Sequence, residues 1–249
     1  MKPLFAVFTA ALAALPLQHA YAQQTDGGTQ WGLGGGLSIE RRPYLGIDNK
    51  TRALPLLLVE NRYLSILGPG VDIKLPPAGP LRLSVRARYS MDGYEADDAP
   101  ILNGMAERKG AFWLGGAGEW RIGAARLSGE WLAATDSDKG QKVKLGAEYH
   151  FRTGDWTVTP RVAASWMDRK YVNYYYGVRS EEVRPGRAFY DGDASASMEF
   201  GIRVNYALAP KQSVFVDAGV TRLGSGIKDS PIVGRSQQTG LRLGYLYRF

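Results

Sequence analysis

The 249-residue chain contains no cysteine. That excludes a disulfide scaffold, a thiolate metal site and a cysteine nucleophile. Histidine is nearly absent too: His19 lies in a stretch expected to be removed, which leaves His150 as the one imidazole for acid–base or metal chemistry. No apolar run is long enough to cross a bilayer as a helix, since Leu4 to Leu17 falls short of the required length. No segment of comparable length to the alternating ones shows a helical period. The mean hydropathy of −0.24 is slightly polar. In a β-barrel only alternate residues face lipid, so that average is no argument against a membrane protein.

The first 22 residues read as an export signal. Met1-Lys2 supplies the charge, Leu4 to Leu17 the apolar core, and Ala20-Tyr21-Ala22 a small-x-small cleavage site. Cleavage after Ala22 would leave residues 23–249 as one domain. A cysteine-free chain suits passage through the periplasm unfolded. The formal net charge is +7, spread over strands and loops rather than gathered in a patch, which argues against nucleic acid as a partner.

The dominant pattern is a period of two. At the C-terminal end Leu241, Leu243, Tyr245, Tyr247 and Phe249 alternate with Gly240, Arg242, Gly244, Leu246 and Arg248. Similar rows recur in Trp31 to Glu40, Leu81 to Met91, Phe112 to Arg121, Ala125 to Ala133, Lys142 to Phe151, Trp156 to Trp166, Asp193 to Tyr206 and Val214 to Thr221. Successive side chains of a strand point to opposite faces, so each row has one apolar face, often ending in an aromatic, and one polar face. The runs are about 10 to 13 residues, the length of a tilted crossing, whereas globular strands usually have about 5 or 6. The expectation is an all-β, outer-membrane-type antiparallel β-barrel with lipid on the apolar face. Tight connections after 121, 151 and 206 alternate with longer ones near 92–108, 135–139, 170–192 and 224–235, which puts the long loops outside. Eight strands are counted back from Phe249 to Leu81. Ala53 to Leu75 is too long for one crossing and too short for three, so the total is ten or twelve.

The interior would hold Arg82, Arg86, Arg88, Arg126, Lys142, Lys144, Arg203 and Arg242 with Glu130, Glu148, Glu199 and Asp217. These read either as mutually paired charges filling a narrow lumen or as a narrow pore preferring anions. His150 beside Glu148 lacks a serine marked by context, so an enzyme is not expected. Asp92, Glu95, Asp97 and Asp98 read as a solvated acidic loop rather than a metal site, and Gly32 to Gly36 lacks the helix of a phosphate loop. No cofactor is expected. The apolar row ending in Phe249 resembles the signal by which outer-membrane barrels reach their assembly machinery.

Tyr171-Val172-Asn173-Tyr174-Tyr175-Tyr176-Gly177-Val178, following a strand with Thr159-Pro160 and Trp166, resembles the Tyr-Tyr-Gly-Val motif of the MltA-interacting protein/OmpV family. Ser230-Pro231-Ile232-Val233, the closing Gly244-Tyr245-x-Tyr247-x-Phe249, Leu54-Pro55 and Leu102-Asn103-Gly104-Met105 fit the same family. The resemblance covers essentially the whole chain after the signal. It implies an outer-membrane barrel surrounded by lipid and lipopolysaccharide. For the namesake it implies a scaffold linking a lytic transglycosylase to a penicillin-binding protein. OmpV-type members imply instead a stress-regulated surface protein or adhesin. The resemblance supplies no catalytic residues. Tyr174 to Tyr176 are expected to pack over the barrel mouth, with Gly177 permitting a tight turn. The reading is therefore a non-enzymatic outer-membrane scaffold, with a narrow pore or surface adhesin as the alternative.

Overall fold

The alternating rows form strands that close on themselves. The computed structural model describes residues 28–249 except Asp48, so the expected cleavage site at Ala20 and Ala22 lies outside the described residues. In chain order the strands are β1 (Gln30–Arg41), β2 (Asn49–Glu60), β3 (Leu64–Leu67), β4 (Gly70–Lys74), β5 (Leu81–Ser90), β6 (Ala111–Ile122) and β7 (Ala125–Ala134). They continue with β8 (Gln141–Tyr149), β9 (Phe151–Thr153), β10 (Trp156–Met167), β11 (Ser195–Ala209), β12 (Gln212–Arg222) and β13 (Gln237–Arg248). Each pairs antiparallel with its neighbours, and β13 returns to β1 from Gly32↔Arg248 to Arg41↔Thr239. Closure leaves no free edge there, which a sheet in lipid requires.

β8 and β9 are one crossing interrupted at His150. The break lies between the pairs Glu148↔Arg161 and Phe151↔Val158, opposite Pro160, which has no N–H to give the ladder. The barrel therefore has twelve crossings, the larger of the two expected totals. The ambiguous stretch Ala53 to Leu75 resolves into the end of β2 and a short β3–β4 hairpin turned at Gly68-Pro69, with Gly68 at φ +56°.

The outward face is apolar as expected. Leu33, Leu114, Leu145, Ile202 and Leu243 are all exposed, Leu145 by 61%. A continuous belt of this kind is untenable in water and normal in lipid. Aromatics collect at the two ends of the wall. Tyr149–Phe151, Trp156–Tyr206 and Tyr247–Phe249 pair at one end with ring centroids 4.5, 4.5 and 5.1 Å apart, and Tyr89–Phe112 at the other at 4.8 Å. Leu241, Leu243 and Tyr245 are likewise outward and exposed.

Connections at one end, here the turn end, are tight: Gly123-Ala124, Gly154-Asp155 and Pro210-Lys211. The last is shorter than expected because β11 continues to Ala209 across a register shift after Ala207. The loop end gathers residues 42–47, 91–110, 135–140, 168–194 and 223–236. Two helices stand there, α1 (Arg169–Tyr176) and α2 (Ser225–Lys228). α1 starts where Asp168 Oδ1 accepts the Tyr171 N–H at 2.8 Å, satisfying one of the free donors of a first helical turn.

Candidate functional site

The lumen, the loop end and the turn end are the three places where this barrel presents chemistry. In the lumen the charges pair. Arg86 donates to both Asp72 oxygens at 2.7 and 2.6 Å and to Glu130 at 2.6 Å, while Arg88 approaches Glu130 at 3.9 Å. Arg126 bridges Glu119 and Glu148. His150 completes that group, with Nε2 3.0 Å from Glu148 and Nδ1 3.1 Å from the Thr159 hydroxyl. Further round, Lys144 and Arg161 share Glu199, and Arg161 and Arg203 share Asp217 at 2.8 and 2.9 Å. Arg242 reaches Glu40 at 3.3 Å.

Of the twelve interior charges read from the sequence, Lys142 and Arg82 behave differently. Lys142 stands 4.0 Å over the Trp113 ring and 5.9 Å from that of Tyr171, a cation on aromatic faces beneath the loop end. Arg82 has no carboxylate within ion-pair distance among the described residues. Asp72, Glu119, Glu40 and Arg161 were missed. Arg161 sits at an inward position of β10, on the face opposite the apolar row Val158 to Trp166 that dominates the pattern of that strand. Asp72 lies on β4, a strand too short to show a period.

The loop end is a packed core of its own. Tyr44, Tyr94, Leu102, Met105, Trp113, Leu132, Tyr171, Val172, Tyr175, Tyr176, Val178, Ile227 and Ile232 form one cluster drawn from four loops and the strand ends beneath them. Trp113, Leu102 and Ile232 are fully buried. The two family motifs meet here: Ser230 Oγ donates to the Tyr176 carbonyl at 2.6 Å, and Ile232 and Val178 sit inside the cluster, with Val233 packed against it. Tyr44 stacks on Tyr176 at 5.5 Å and meets Tyr94 edge-on at 4.9 Å. Its hydroxyl donates to the Tyr175 carbonyl at 3.2 Å. Pro231 joins the turn between Ser230 and Ile232.

Gly177 does not turn tightly. Its backbone is extended, at φ −70° and ψ 153°, and a Cβ there would stand 2.4 Å from the Asn173 carbonyl oxygen. The glycine is needed for close approach at the end of α1, not for a left-handed conformation. Burial pushes the phenols of Tyr44, Tyr171, Tyr175 and Tyr176 well up, and that of Tyr94 to about 12.

One ion pair is sealed into the cap. Arg108 Nη2 lies 2.8 Å from both oxygens of Glu182, and the two side chains are 1% and 3% exposed. Burial works against the Glu182 carboxylate. The N–H groups of Arg179 and Ala106 and the Arg108 guanidinium outweigh it and hold the carboxyl below its ordinary range. Arg187 ties the same segment to the Ile101, Asn103 and Glu182 carbonyls. Asp92 instead accepts from Ser90 at 2.6 Å, and Asp98 from the Glu95 N–H at 3.1 Å. Among the described residues no group of acidic or histidine side chains has the arrangement of a metal site.

At the turn end Arg62, Arg82, Arg152, Lys211 and Arg248 are exposed, and none has a carboxylate partner among the described residues. They sit in or beside the short connections, so the barrel offers a basic rim there.

Several known proteins resemble this chain. The family described as MltA-interacting protein MipA matches residues 33–249. The MltA-interacting protein of Escherichia coli (strain K12) is 27% identical over 246 residues, covering 96% of this chain and 97% of its own length. The outer membrane protein OmpV of Vibrio cholerae serotype O1 is 27% identical over 146 residues, 58% of this chain and 57% of that one. Among solved structures, the COG4313 outer membrane channel from Pseudomonas putida F1 shares 14% identity at a TM-score of 0.46, covering 98% of this chain and all of that one. With the family match spanning nearly every strand, the chain belongs to the MltA-interacting protein MipA family and is an outer-membrane β-barrel protein.

Proposed function

We propose that this barrel is a non-enzymatic scaffold that holds a murein-cleaving lytic transglycosylase, and through it a penicillin-binding protein, at the inner surface of the outer membrane. The observation that carries this reading is the division of charge. Interior carboxylates are taken up by interior cations, and the loop end is sealed by its own apolar core, whereas the turn end keeps Arg62, Arg152, Lys211 and Arg248 free for a partner. Exposed cations of this kind attract and orient an acidic protein surface more than they add to affinity. The name of the Escherichia coli relative records an interaction with MltA, which supports the same class of partner.

The test is crosslinking in intact envelopes followed by purification of this protein. Murein enzymes should be recovered with the wild type and lost from the Arg62→Glu, Arg152→Glu, Lys211→Glu triple variant at equal outer-membrane levels. Equal recovery with the triple variant, or no murein enzyme with either, contradicts the reading.

A narrow anion-preferring pore is the second reading. It is favoured by Arg88, Arg203 and Arg242, whose side chains remain 43–47% exposed inside the barrel despite their partners.

A further inference from the structure

The hydrogen-bond ladder of the barrel wall has a gap, which we call the window. β3 and β4 contain 4 and 5 residues, against about 9–11 for a tilted crossing. β3 pairs with β2 only from Leu58↔Leu67 to Glu60↔Ser65, and the last contact on that side is the Gly68 N–H to the Leu57 carbonyl at 3.1 Å. The Leu57 carbonyl points away from β1, so by alternation the backbone groups of Thr51, Ala53 and Pro55 do too. None of them has a backbone partner on that side among the described residues. Pro55 sits at this edge, where a missing N–H leaves nothing unsatisfied.

The opposite border is the end of β5, where the Tyr89 N–H meets the Pro69 carbonyl at 3.1 Å. The roof is the segment after Met91, held by Arg42 to the Met91 and Gly93 carbonyls and by Lys50 to Asp98 at 3.6 Å. The opening thus lies between β2 and β5 in the half of the wall nearer the loops. With the long loops outside, as in other barrels, that half is in the outer leaflet.

The inner face behind the window is unlike the rest of the lumen. From the loop end downward β2 turns Lys50, Arg52, Leu54, Leu56 and Leu58 inward, two cations above three half-buried leucines. They face a floor of Gly36, Gly34 and Gly32 on β1. A Cβ on Gly34 or Gly36 would strike the backbone of β13 at 2.0 or 2.1 Å, so this floor is bare of necessity. Leu58 and Leu246 come together over Gly32, and Leu56 and Phe215 over Gly244. The apolar strip ends where Arg203 meets the Phe215 ring at 5.4 Å and the charged sector begins. Lys50 and Arg52 are held loosely, at 3.6 Å from Asp98 and 3.7 Å from Glu40, beyond hydrogen-bonding range.

We propose that the window admits an anionic lipid of the outer leaflet. Its phosphate head meets Lys50 and Arg52, and one acyl chain lies along Leu54, Leu56, Leu58 and Leu246. The unpaired β2 edge is a large penalty if hydrocarbon alone covers it, and a phosphate at the opening relieves part of it by accepting from the Thr51 and Ala53 N–H groups. The order of side chains on β2, cationic then apolar, is the order of groups in such a lipid.

The test is native mass spectrometry of the full barrel extracted in mild detergent, offered dioleoylphosphatidic acid, dioleoylglycerol or inorganic phosphate. One phosphatidic acid should be retained per barrel, the uncharged diacylglycerol much less, and inorganic phosphate should neither bind nor displace the lipid. Leu54→Gln with Leu56→Gln should lower retention roughly tenfold by making the strip polar. Lys50→Ala with Arg52→Ala should bring phosphatidic acid down to the diacylglycerol level. Val216→Gln on the outer wall should change nothing. If the double leucine variant loses its heat-modifiable gel shift, the single variant Leu58→Gln, lower on the same strip, replaces it. Equal retention by wild type and strip variants, or displacement of the lipid by phosphate, overturns the proposal.

Discussion

The cap and the wall use the same apolar residue types against two different solvents. In the cap Trp113, Leu102 and Ile232 are stabilised by one another and would be buried in water. On the wall Leu114, Leu145 and Phe200 touch few protein atoms and depend on lipid for their burial. The core of this protein thus sits at one end of the barrel and not inside it. The contrast implies that damage to the cap should be felt in any solvent and damage to the wall only in a bilayer. It also separates the two charge systems, since the Arg108–Glu182 pair of the cap is sealed from solvent on both sides while each lumen pair keeps at least one partly exposed partner.

The largest effect is expected at Trp113. Trp113→Ala removes a fully buried ring from the floor of the cap, which costs about 3–5 kcal/mol where the site cannot collapse. Limited proteolysis should then cut within 91–110 and 168–194 while the heat-modifiable gel shift persists. Loss of that shift would mean that cap and wall are one cooperative unit and break the comparison.

Next is Glu182→Ala, which leaves the Arg108 guanidinium buried without its partner, at a cost of about 3 kcal/mol. The pair also predicts a pH window. The Glu182 carboxyl is held below its ordinary range, so its stabilisation is complete above the unfolded value of about 4.3 and is lost as pH falls through the lower folded value. Pepsin cleavage of the loops should therefore increase steeply only in that acid range in the wild type. The Glu182→Ala variant should be cleaved throughout the acid range in which pepsin acts, including where the wild type resists, and identical profiles would contradict the assignment.

Leu145→Arg sharpens the contrast from the other side. A cation midway along the lipid face costs about 2–4 kcal/mol in a bilayer. Refolding into vesicles should suffer, and loop proteolysis of the folded fraction should not.

The smallest thermodynamic effect is at the last strand. Tyr247→Asp costs at most about 1 kcal/mol near the interface, so a loss of outer-membrane protein beyond that measures delivery to the assembly machinery. Phe249→Ala should also lower the outer-membrane level and Arg248→Ala should do much less. Equal outer-membrane levels of wild type, Phe249→Ala and Tyr247→Asp would remove the assembly role proposed for Leu241 to Phe249.

Alternation made the long strands legible, because Leu241 to Phe249 or Ala194 to Tyr206 leave no other face for lipid. β3 and β4 were not legible as crossings, since four or five residues carry too little period to set a register. The lumen was read in part: a charge at an inward position is visible, but its partner depends on barrel register. Arg161 reaches Asp217 two strands away, on β12, with β11 between. The cap was visible only as tyrosines and a Ser-Pro-Ile-Val stretch. That Ser230 would meet Tyr176 across 54 positions is set by closure of the barrel, which no local pattern contains.

If the cap seals the barrel, as proposed, contact and not transport is its work. Planar-bilayer recording tests it most directly. Wild-type protein should show no steady conductance, and Trp113→Ala should show intermittent openings through the loosened cap. Steady anion-selective channels in the wild type, losing selectivity when Arg86 and Arg88 become alanine, would contradict the account.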